Sequence, residues 1–429
     1  MSSRKRNAGE GDQNVLVGLD LGTSNTTAII AARDDSALSI VGLGSSPSQG
    51  MKNGVVVNIE QTVESIINAI EAAERMANTS VESAYVTISG DHIRSVNSKG
   101  MIAVGRSSNG TGTKITREDI QRVIETAQTV TFPADREVIH VVPQDFLVDN
   151  RVGFKDPVGI VGLRLEANVH IVTAAMAAAQ TILYCLQEMN IEPEELVLQS
   201  LAAANAALTD DEKELGVTLL DIGGGTADIA VYRDGAIRHT AVIGLGGESV
   251  TRDLAHGLRI PRNEAEKLKL EYGCAHASCL TDEGPIDLPG NGDRPDRQVT
   301  RDIVYSIIQP RMEEIFDLVI KELRQADCIN NLTAGIVLTG GAVLIPGTVE
   351  LAEEVFGLPA RLGRPRDLGS LKEIADSPIY TTAVGLVLHG AMQQDAEERG
   401  YRIPRKRNKR MRLYNSKLQQ IKRLITDFF

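Results

Sequence analysis

The first half of the chain opens with short apolar runs separated by turn residues. Three strands are predicted, at residues 15–20, 26–32 and 38–44. Residues 60–77 then carry apolar side chains three and four positions apart, which is the spacing of an amphipathic helix. Another strand is predicted over 85–88. Strands that alternate with helices in this way indicate an α/β domain.

The second half repeats this pattern. Strands are predicted at residues 217–220, 229–232, 237–243 and 336–338. A charged helical stretch is predicted over 248–272, followed by a loop over 273–297 and a long helix over 300–326. The apolar positions of that helix, expected to face the core, are Ile303, Ile307, Ile308, Met312, Ile315, Leu318 and Val319.

The segment between the two halves has a different composition, rich in Gly, Ser and Asn over 97–113. It is predicted to hold one helix near 116–129 and strand-like runs over 136–149. We interpret 89–168 as an inserted subdomain. An Ala-rich helix over 173–189 and a strand over 196–198 follow it and are expected to return the chain to the first domain.

Two glycine-rich segments about 200 residues apart have the same design. In each, an apolar strand ends in an Asp, glycines and hydroxyl residues follow, and a second strand begins. Glycines allow backbone N–H groups to approach an anion closely, and hydroxyls add donors to phosphate oxygens. The candidate phosphate-binding residues are Asp20, Gly22, Thr23, Ser24, Asn25 and Thr26 in the first segment and Asp221, Gly223, Gly224, Gly225 and Thr226 in the second.

The two aspartates require a cation, because a carboxylate repels a bare phosphate. Hydrated Mg²⁺ is the simplest such cation, so Asp20 and Asp221 are predicted to bind it through water. A hairpin turn without a ligand would explain one such segment, but two matching copies favour a phosphate site. A third glycine segment, with Gly340, Gly341 and Ala342, follows the strand at 336–338 and is a candidate seat for a purine.

Composition and charge limit the kinds of binding partner that the chain is expected to have. The chain has no Trp and 3% aromatic residues, so it lacks the stacking platforms of proteins that bind single-stranded nucleic acid. Four scattered cysteines favour a reducing cytoplasm, and Cys274, His276 and Cys279 have no second pair to complete a zinc site. Residues 402–429 hold ten Lys or Arg and one Asp, whereas the whole chain carries −12. A basic end on an acidic body indicates an anionic partner surface.

Residues 413–429 form an amphipathic helix if they are placed at 100° per residue. An apolar face flanked by basic side chains suits the headgroup region of an anionic bilayer. The candidate membrane residues are Tyr414, Leu418, Ile421, Lys422, Arg423, Leu424, Ile425, Phe428 and Phe429. Two alternatives stay open: the segment packs on the protein's own body, or the basic run 405–410 binds nucleic acid.

These motifs together resemble the actin, Hsp70 and sugar-kinase ATPase superfamily, whose two phosphate motifs and adenosine motif occur in this order. Within the superfamily, the chain is similar to the FtsA family of bacterial cell division proteins over nearly its whole length. The matching residues are Asn53–Val56, Thr87–Gly90, Glu214–Val217, Asp221–Thr226 and the ending at 413–429.

The resemblance implies a two-lobed α/β actin-like ATPase fold with an inserted subdomain in each lobe and a C-terminal amphipathic helix. It implies ATP and Mg²⁺ in the cleft, and contacts from Glu264 and Lys267 to the adenosine. The predicted division is a disordered leader 1–13, a first lobe 14–88 and 169–195, its insertion 89–168, a second lobe 196–243 and 301–390, its insertion 244–300, a flexible basic linker 391–412 and the helix 413–429.

The resemblance also implies a function. Proteins of this family polymerise on the cytoplasmic face of the inner membrane at the division site. They tether the tubulin-like protein FtsZ by its C-terminal peptide, here expected to dock on about 244–300 with help near Arg301. They also help recruit other division proteins. The expected partners are FtsZ, further copies of the chain, anionic lipid and those division proteins, with no nucleic acid.

Gln199 is the best candidate for orienting the water that attacks ATP. An amide is a poor base, so at most slow ATP hydrolysis is expected. The alternative functions are a small-molecule kinase with Asp221 as base, a chaperone-like ATPase and a pilus-assembly ATPase. The amphipathic ending has no purpose in a kinase, and the residues after 390 are too few for a peptide-binding domain.

Overall fold

The computed structural model describes residues 14–34, 37–105, 112–280, 284–288, 297–366, 369, 371 and 376–398. The strands before residue 200 are β1 (Asn14–Leu21), β2 (Asn25–Asp34), β3 (Ala37–Pro47), β4 (Met51–Lys52), β5 (Val55–Val56), β6 (Ser83–Ile88), β7 (Arg94–Ala103), β8 (Thr113–Lys114), β9 (Arg136–Val148), β10 (Arg151–Phe154), β11 (Val161–Gly162), β12 (Arg164–Ala175) and β13 (Glu192–Leu198). The helices that begin before that point are α1 (Ile59–Ala77), α2 (Arg117–Ala127), α3 (Met176–Glu188) and α4 (Gln199–Ala207).

The strands after residue 200 are β14 (Val217–Ile222), β15 (Ala227–Arg233), β16 (Ala236–Ile243), β17 (Ile286–Leu288), β18 (Arg297–Val299), β19 (Gly335–Thr339) and β20 (Ala360–Leu362). The helices are α5 (Asp210–Leu215), α6 (Gly247–Leu258), α7 (Arg262–Tyr272), α8 (Arg301–Gln325), α9 (Thr348–Phe356) and α10 (Thr381–Glu398). The strands and helices predicted in the two halves are therefore present, and the charged stretch 248–272 is two helices rather than one.

A five-stranded sheet in the order β13-β6-β1-β2-β3 forms the first lobe. Its strands are near-continuous apolar runs because helices cover both faces. Ile66 and Ile70 of α1 pack with Leu19 on one face, and Val384 and Leu386 of α10 pack on the other. β13 pairs with β6 in this sheet, so the strand at 196–198 belongs to the first lobe, and the predicted start of the second lobe at residue 196 comes too early.

The second lobe repeats the topology of the first. Its sheet has the order β16-β15-β14-β19-β20, which matches the first sheet strand for strand when that order is read from β3. In both, an antiparallel hairpin carries a glycine segment and a parallel strand lies beside it. The duplication inferred from the two glycine segments is thus a duplication of whole sheets.

The inserted subdomain is a four-stranded antiparallel sheet in the order β10-β9-β12-β7, with α2 packed on one face through Val123 and Ile124. β12 is one continuous strand that ends at Ala175. The predicted boundary at 168 and the predicted helix start at 173 are therefore corrected, because both fall inside this strand.

One side chain of the long helix α8 is not buried as predicted. Ile308, Met312 and Ile315 are buried as expected. Ile303, by contrast, is 43% exposed, so it does not contribute to the core. In the first turn of the helix it is Val304, and not Ile303, that is buried in the core.

α10 belongs to the first lobe and not to the second, where the predicted division placed residues up to 390. It continues to Glu398, so 391–398 is helical and not part of a flexible linker. The leader 1–13, the rest of the linker and the amphipathic segment 413–429 lie outside the described residues. None of the helices described here is long and apolar enough to cross a membrane.

Candidate functional site

The two glycine segments are hairpin turns of equal length. Leu21 pairs with Thr26 in the first and Ile222 pairs with Ala227 in the second, so four residues form each turn. Each turn leaves the end of the central strand of its sheet. The equal register places Asp20 and Asp221 at equivalent positions, as the sequence predicted.

The two turns touch each other across the lobes. Gly224 lies directly against Ser24, because a Cβ atom on Gly224 would overlap the Ser24 hydroxyl and would lie 3.3 Å from the Ser24 nitrogen. A Cβ atom on Gly225 would lie 2.6 Å from Thr23 Oγ1 and 2.9 Å from Asn53 Cα. Only glycine fits at these two positions, so the lobes meet at the predicted phosphate-binding segments.

Three buried carboxylates converge behind these turns. Thr87 donates a hydrogen bond to Asp20 (3.0 Å), and Ser89 donates one to Asp228 (2.6 Å). Burial raises the pKa of Asp20 to about 7, and the Asp221 carboxylate adds to this effect. Burial and Asp221 also raise the pKa of Asp228 to about 7. Each carboxylate is therefore poorly stabilised as an anion by the protein alone.

This arrangement fits a hydrated cation. Burial raises the pKa of Asp221, and Asp228 Oδ2 is buried without a hydrogen-bond partner among the described residues. Within the described ranges, no group of three or more His, Cys, Asp and Glu side chains could hold a metal directly. Magnesium in nucleotide sites keeps several of its waters, so carboxylates at water distance are the partners it needs.

Asp228 was missed by the sequence reasoning, although its segment was singled out. It pairs with Asp221 across the hairpin, at the position that Thr27 occupies opposite Asp20 in the first copy. A carboxylate on a strand that is otherwise buried and apolar was the available signal. Because of this position, the Asp228 side chain belongs to the same cluster of buried carboxylates as Asp20 and Asp221.

The hydroxyls of the first turn have different roles. Thr23 Oγ1 accepts the Gly54 N–H (3.0 Å), and Thr26 Oγ1 lies 2.8 Å from Ser48 Oγ. Both threonines are buried, whereas Ser24 and Asn25 are exposed at the tip of the turn. Thr23 and Thr26 therefore shape the turn, and Ser24 and Asn25 are the side chains that face outward.

Gln199 begins α4 and lies beside the second turn. Its Nε2 donates to Asp221 Oδ2 (3.1 Å), and Thr382 of α10 donates to the same oxygen (2.8 Å). A Cβ atom on Gly223 would lie 3.9 Å from Gln199 Nε2. The amide is thus placed at the carboxylate cluster, and its role toward water stays a prediction.

The third glycine segment packs onto the second turn. Gly340 has a φ of +89° and lies against Asp221, while its N–H donates to the Pro378 carbonyl (3.2 Å). Gly341 has open space around it, with Ile379 Cγ1 the nearest atom at 4.0 Å from a built Cβ. Ala342 is buried in the core of the second lobe. The structure therefore brings all three glycine segments together around Asp221.

The two residues predicted to contact adenosine, Glu264 and Lys267, lie on α7. Glu264 and Lys267 form an ion pair with each other (2.9 Å), and the Lys267 side chain is 66% exposed. Their contact to a nucleotide stays a prediction.

A second pair with the same spacing on α7 faces the glycine segments. Lys269 Nζ is buried and bonds Glu266 (2.8 Å) and the Gly247 carbonyl (3.3 Å). A Cβ atom on Gly247 would lie 3.7 Å from the Gly223 carbonyl oxygen. The sequence offered two overlapping Glu–Lys pairs, and only burial distinguishes them.

Comparison with protein families and curated proteins gives a consistent result. The family model described as "Cell division protein FtsA" matches residues 218–385, and the model of the "SHS2 domain inserted in FTSA" matches 90–173. The cell division protein FtsA of Pseudomonas aeruginosa is 46% identical, covering 89% of this chain and 90% of its own length. The FtsA of Escherichia coli is 38% identical, covering 88% of this chain and 91% of its own length. The FtsA of Bacillus subtilis is 36% identical, covering 91% of this chain and 87% of its own length.

Solved structures support the fold. A PilM–PilN complex of type IV pilus biogenesis matches with a TM-score of 0.61 and 16% identity, covering 87% of this chain and 98% of that one. MreB5 of Spiroplasma citri bound to ADP matches with a TM-score of 0.52 and 16% identity, covering 89% and 98%. The same protein bound to AMPPNP matches with a TM-score of 0.54 and 15% identity, covering 90% and 99%. The predicted actin-like α/β fold with an insertion in the first lobe is confirmed.

Proposed function

The chain belongs to the FtsA family of cell division proteins, and we propose that it is an ATP-binding adaptor that polymerises on the inner membrane and tethers FtsZ there. The observation that carries this proposal is the contact between the two glycine turns, with Asp20 and Asp221 buried behind them. Glycine-rich turns present backbone N–H groups that bind anions, so we expect a ligand with several phosphates to bind both turns. Such a ligand joins the lobes.

We propose ATP with Mg²⁺ as that ligand. The MreB5 structures of the same fold are bound to ADP and to AMPPNP. In this chain, Asp20 and Asp221 would hold Mg²⁺ through its waters, with Asp228 as a third carboxylate. The bound cation neutralises phosphate charge. In this proposal the residues of the chain orient the nucleotide: Gly224 and Gly225 let the two phosphate-binding turns meet, and Lys269 provides a positive charge beside the second turn.

Attachment to the membrane is proposed for the ending 413–429. Its apolar face and basic flank suit an anionic bilayer, and one short helix of this kind binds reversibly. Each basic residue near the membrane surface contributes about 1 kcal/mol to binding, and salt weakens this contribution. Copies in a filament bind together, because the second attachment becomes intramolecular. Polymerisation thus strengthens membrane binding without a new contact.

Docking of the FtsZ peptide is proposed for the second-lobe insertion. Leu270 near the end of α7 is 72% exposed, and Ile303 at the start of α8 is 43% exposed. The Arg301 guanidinium lies 5.8 Å from the centre of the Tyr272 ring, so the two helix ends meet there. Exposed large apolar side chains at one junction favour a peptide-binding surface.

The test is co-sedimentation with anionic vesicles, using the whole chain and residues 1–404. We expect the whole chain to pellet with vesicles, to carry FtsZ with it, and to do so more strongly with ATP. Residues 1–404 should stay in solution with unchanged ATP affinity. Ile421→Glu should also abolish vesicle binding without weakening ATP binding. Asn415→Glu, on the opposite face of the helix, is the matched control.

Three results would contradict the proposal. Equal pelleting of the whole chain and residues 1–404 would exclude the ending as the anchor. A loss of ATP affinity in Ile421→Glu would make the ending a structural element. Phosphorylation of a sugar by the purified chain would favour the kinase alternative.

A further inference from the structure

α10 is fixed to the first lobe by close backbone packing. A Cβ atom on Gly385 would overlap the Ala202 carbonyl of α4, and one on Gly390 would lie 2.6 Å from the Tyr85 ring of β6. On the other side, a Cβ atom on Gly18 of β1 would lie 2.8 Å from the Ala383 carbonyl oxygen. These contacts leave no room for α10 to move independently of the first sheet.

Asp221 belongs to the second lobe, because it lies on the central strand of the second sheet. One of its carboxylate oxygens lies against Gly340. The other, Oδ2, accepts the hydroxyl of Thr382 (2.8 Å) and the amide of Gln199 (3.1 Å). The bond between Thr382 and Asp221 therefore crosses from one lobe to the other, and it is buried at both ends.

We propose that Thr382 is a positioning residue that fastens the two lobes to each other through the Asp221 carboxylate. A hydrogen bond to a charged group is stronger than a neutral one, and burial removes the competition from water. The bond holds the lobes in register and fixes the orientation of Asp221. This inference rests on the proposed function in one respect: an oriented carboxylate favours the nucleotide–Mg²⁺ complex.

The neighbouring threonine is a natural control. Thr381 is fully buried, and its hydroxyl has no hydrogen-bond partner among the described residues. Thr381→Val and Thr382→Val remove the same atom from adjacent positions of one helix turn. Only the second substitution removes a bond between the lobes, so the pair separates the bond from helix packing.

The experiment measures hydrogen exchange in the nucleotide-free protein and ATP affinity with Mg²⁺ and with EDTA. In Thr382→Val, amides of the turn 223–226 should exchange about tenfold faster, since that factor corresponds to one hydrogen bond to a charged group. ATP affinity with Mg²⁺ should fall by a similar factor, and affinity in EDTA should change less. Thr382→Ser keeps the hydroxyl and should restore both values.

The outcomes separate this inference from the proposed function. Unchanged exchange in Thr382→Val would overturn the inference, as would an equal effect of Thr381→Val or a failure of Thr382→Ser to restore exchange. If the wild-type chain bound no ATP, the proposed function would fail, and the exchange measurement alone would decide the role of Thr382. If Thr382→Val exchanged faster than Thr381→Val but bound ATP as tightly as the wild type, the role of Thr382 would be limited to attaching the lobes to each other.

Discussion

Gly340 lies so close to the Asp221 carboxylate that a Cβ atom at this position would overlap Asp221 Oδ1. The contact joins the predicted purine seat to the second phosphate turn. The φ of Gly340 is +89°, a conformation that other residues rarely adopt. Both the backbone angle and the space therefore require glycine here.

Gly340→Ala should destabilise the protein by roughly 2–4 kcal/mol, since it combines backbone strain with a steric clash. Chemical denaturation measures this free energy of unfolding. Gly341→Ala is the matched control, because the nearest atom to its built Cβ is 4.0 Å away. We expect Gly341→Ala to change stability by less than about 0.5 kcal/mol. Equal destabilisation by both would show that the contact with Asp221 is unimportant.

Lys269→Met should weaken ATP binding about tenfold, because it removes a buried charge beside the second turn. Lys155→Met, at an exposed surface ion pair with Glu214, is its control, and Lys267→Met tests the predicted adenosine contact separately. Isothermal titration with ATP and Mg²⁺ compares the dissociation constants. If Lys267→Met weakened binding as much as Lys269→Met, the adenosine contact predicted for Glu264 and Lys267 would be favoured instead.

The sequence predicted local features well. The two glycine turns, the helix at 59–77 and the strands beside them depend on residues close in the chain, so their patterns were sufficient. The pairing partner of β13 was not predicted, because its parallel pairing with β6 joins residues about 110 positions apart, such as Leu198 and Ile88. No local pattern contains that information.

The site residues depend on the same distinction. Asp20 and Asp221 could be named from the sequence because each sits in a glycine segment. Lys267 was named from the resemblance alone, and the burial of Lys269 two residues later is visible only in the fold. Thr382 lies about 160 positions from Asp221, so their bond has no signature in the sequence.

ATP hydrolysis should be slow, with a turnover below about 1 per second, the lower end of typical enzyme values. Gln199 lies at the carboxylate cluster but has no basic group to accept a proton from water. Release of phosphate from saturating ATP with Mg²⁺ measures this rate. Gln199→Ala should lower it further, whereas faster turnover in the wild type would require a base other than Gln199.

The stability of the nucleotide-free and Mg²⁺-free protein should fall as pH rises from 5 to 8. Burial raises the pKa of both Asp20 and Asp228 to about 7, above the usual value of 3.8. The folded protein therefore binds more protons than the unfolded chain in this window, and the free energy of unfolding decreases with pH. Below about pH 4 both groups are protonated in the folded and in the unfolded state, so they no longer change stability with pH. Thermal melting in EDTA across the pH range measures the slope.

Asp228→Asn tests which group produces this slope. The amide keeps the shape of the side chain but cannot ionise, so the variant should be more stable than the wild type at pH 8 by about 1–3 kcal/mol, and the difference should approach zero only near pH 4, where the unfolded chain is also protonated. Mg²⁺ with ATP should stabilise the wild type more than the variant at pH 8, since the cation favours the ionised carboxylates. Asp287→Asn, at an exposed position of β17, is the control and should leave the slope unchanged. A variant as pH-sensitive as the wild type would show that Asp228 does not produce the slope, which would then be assigned to Asp20.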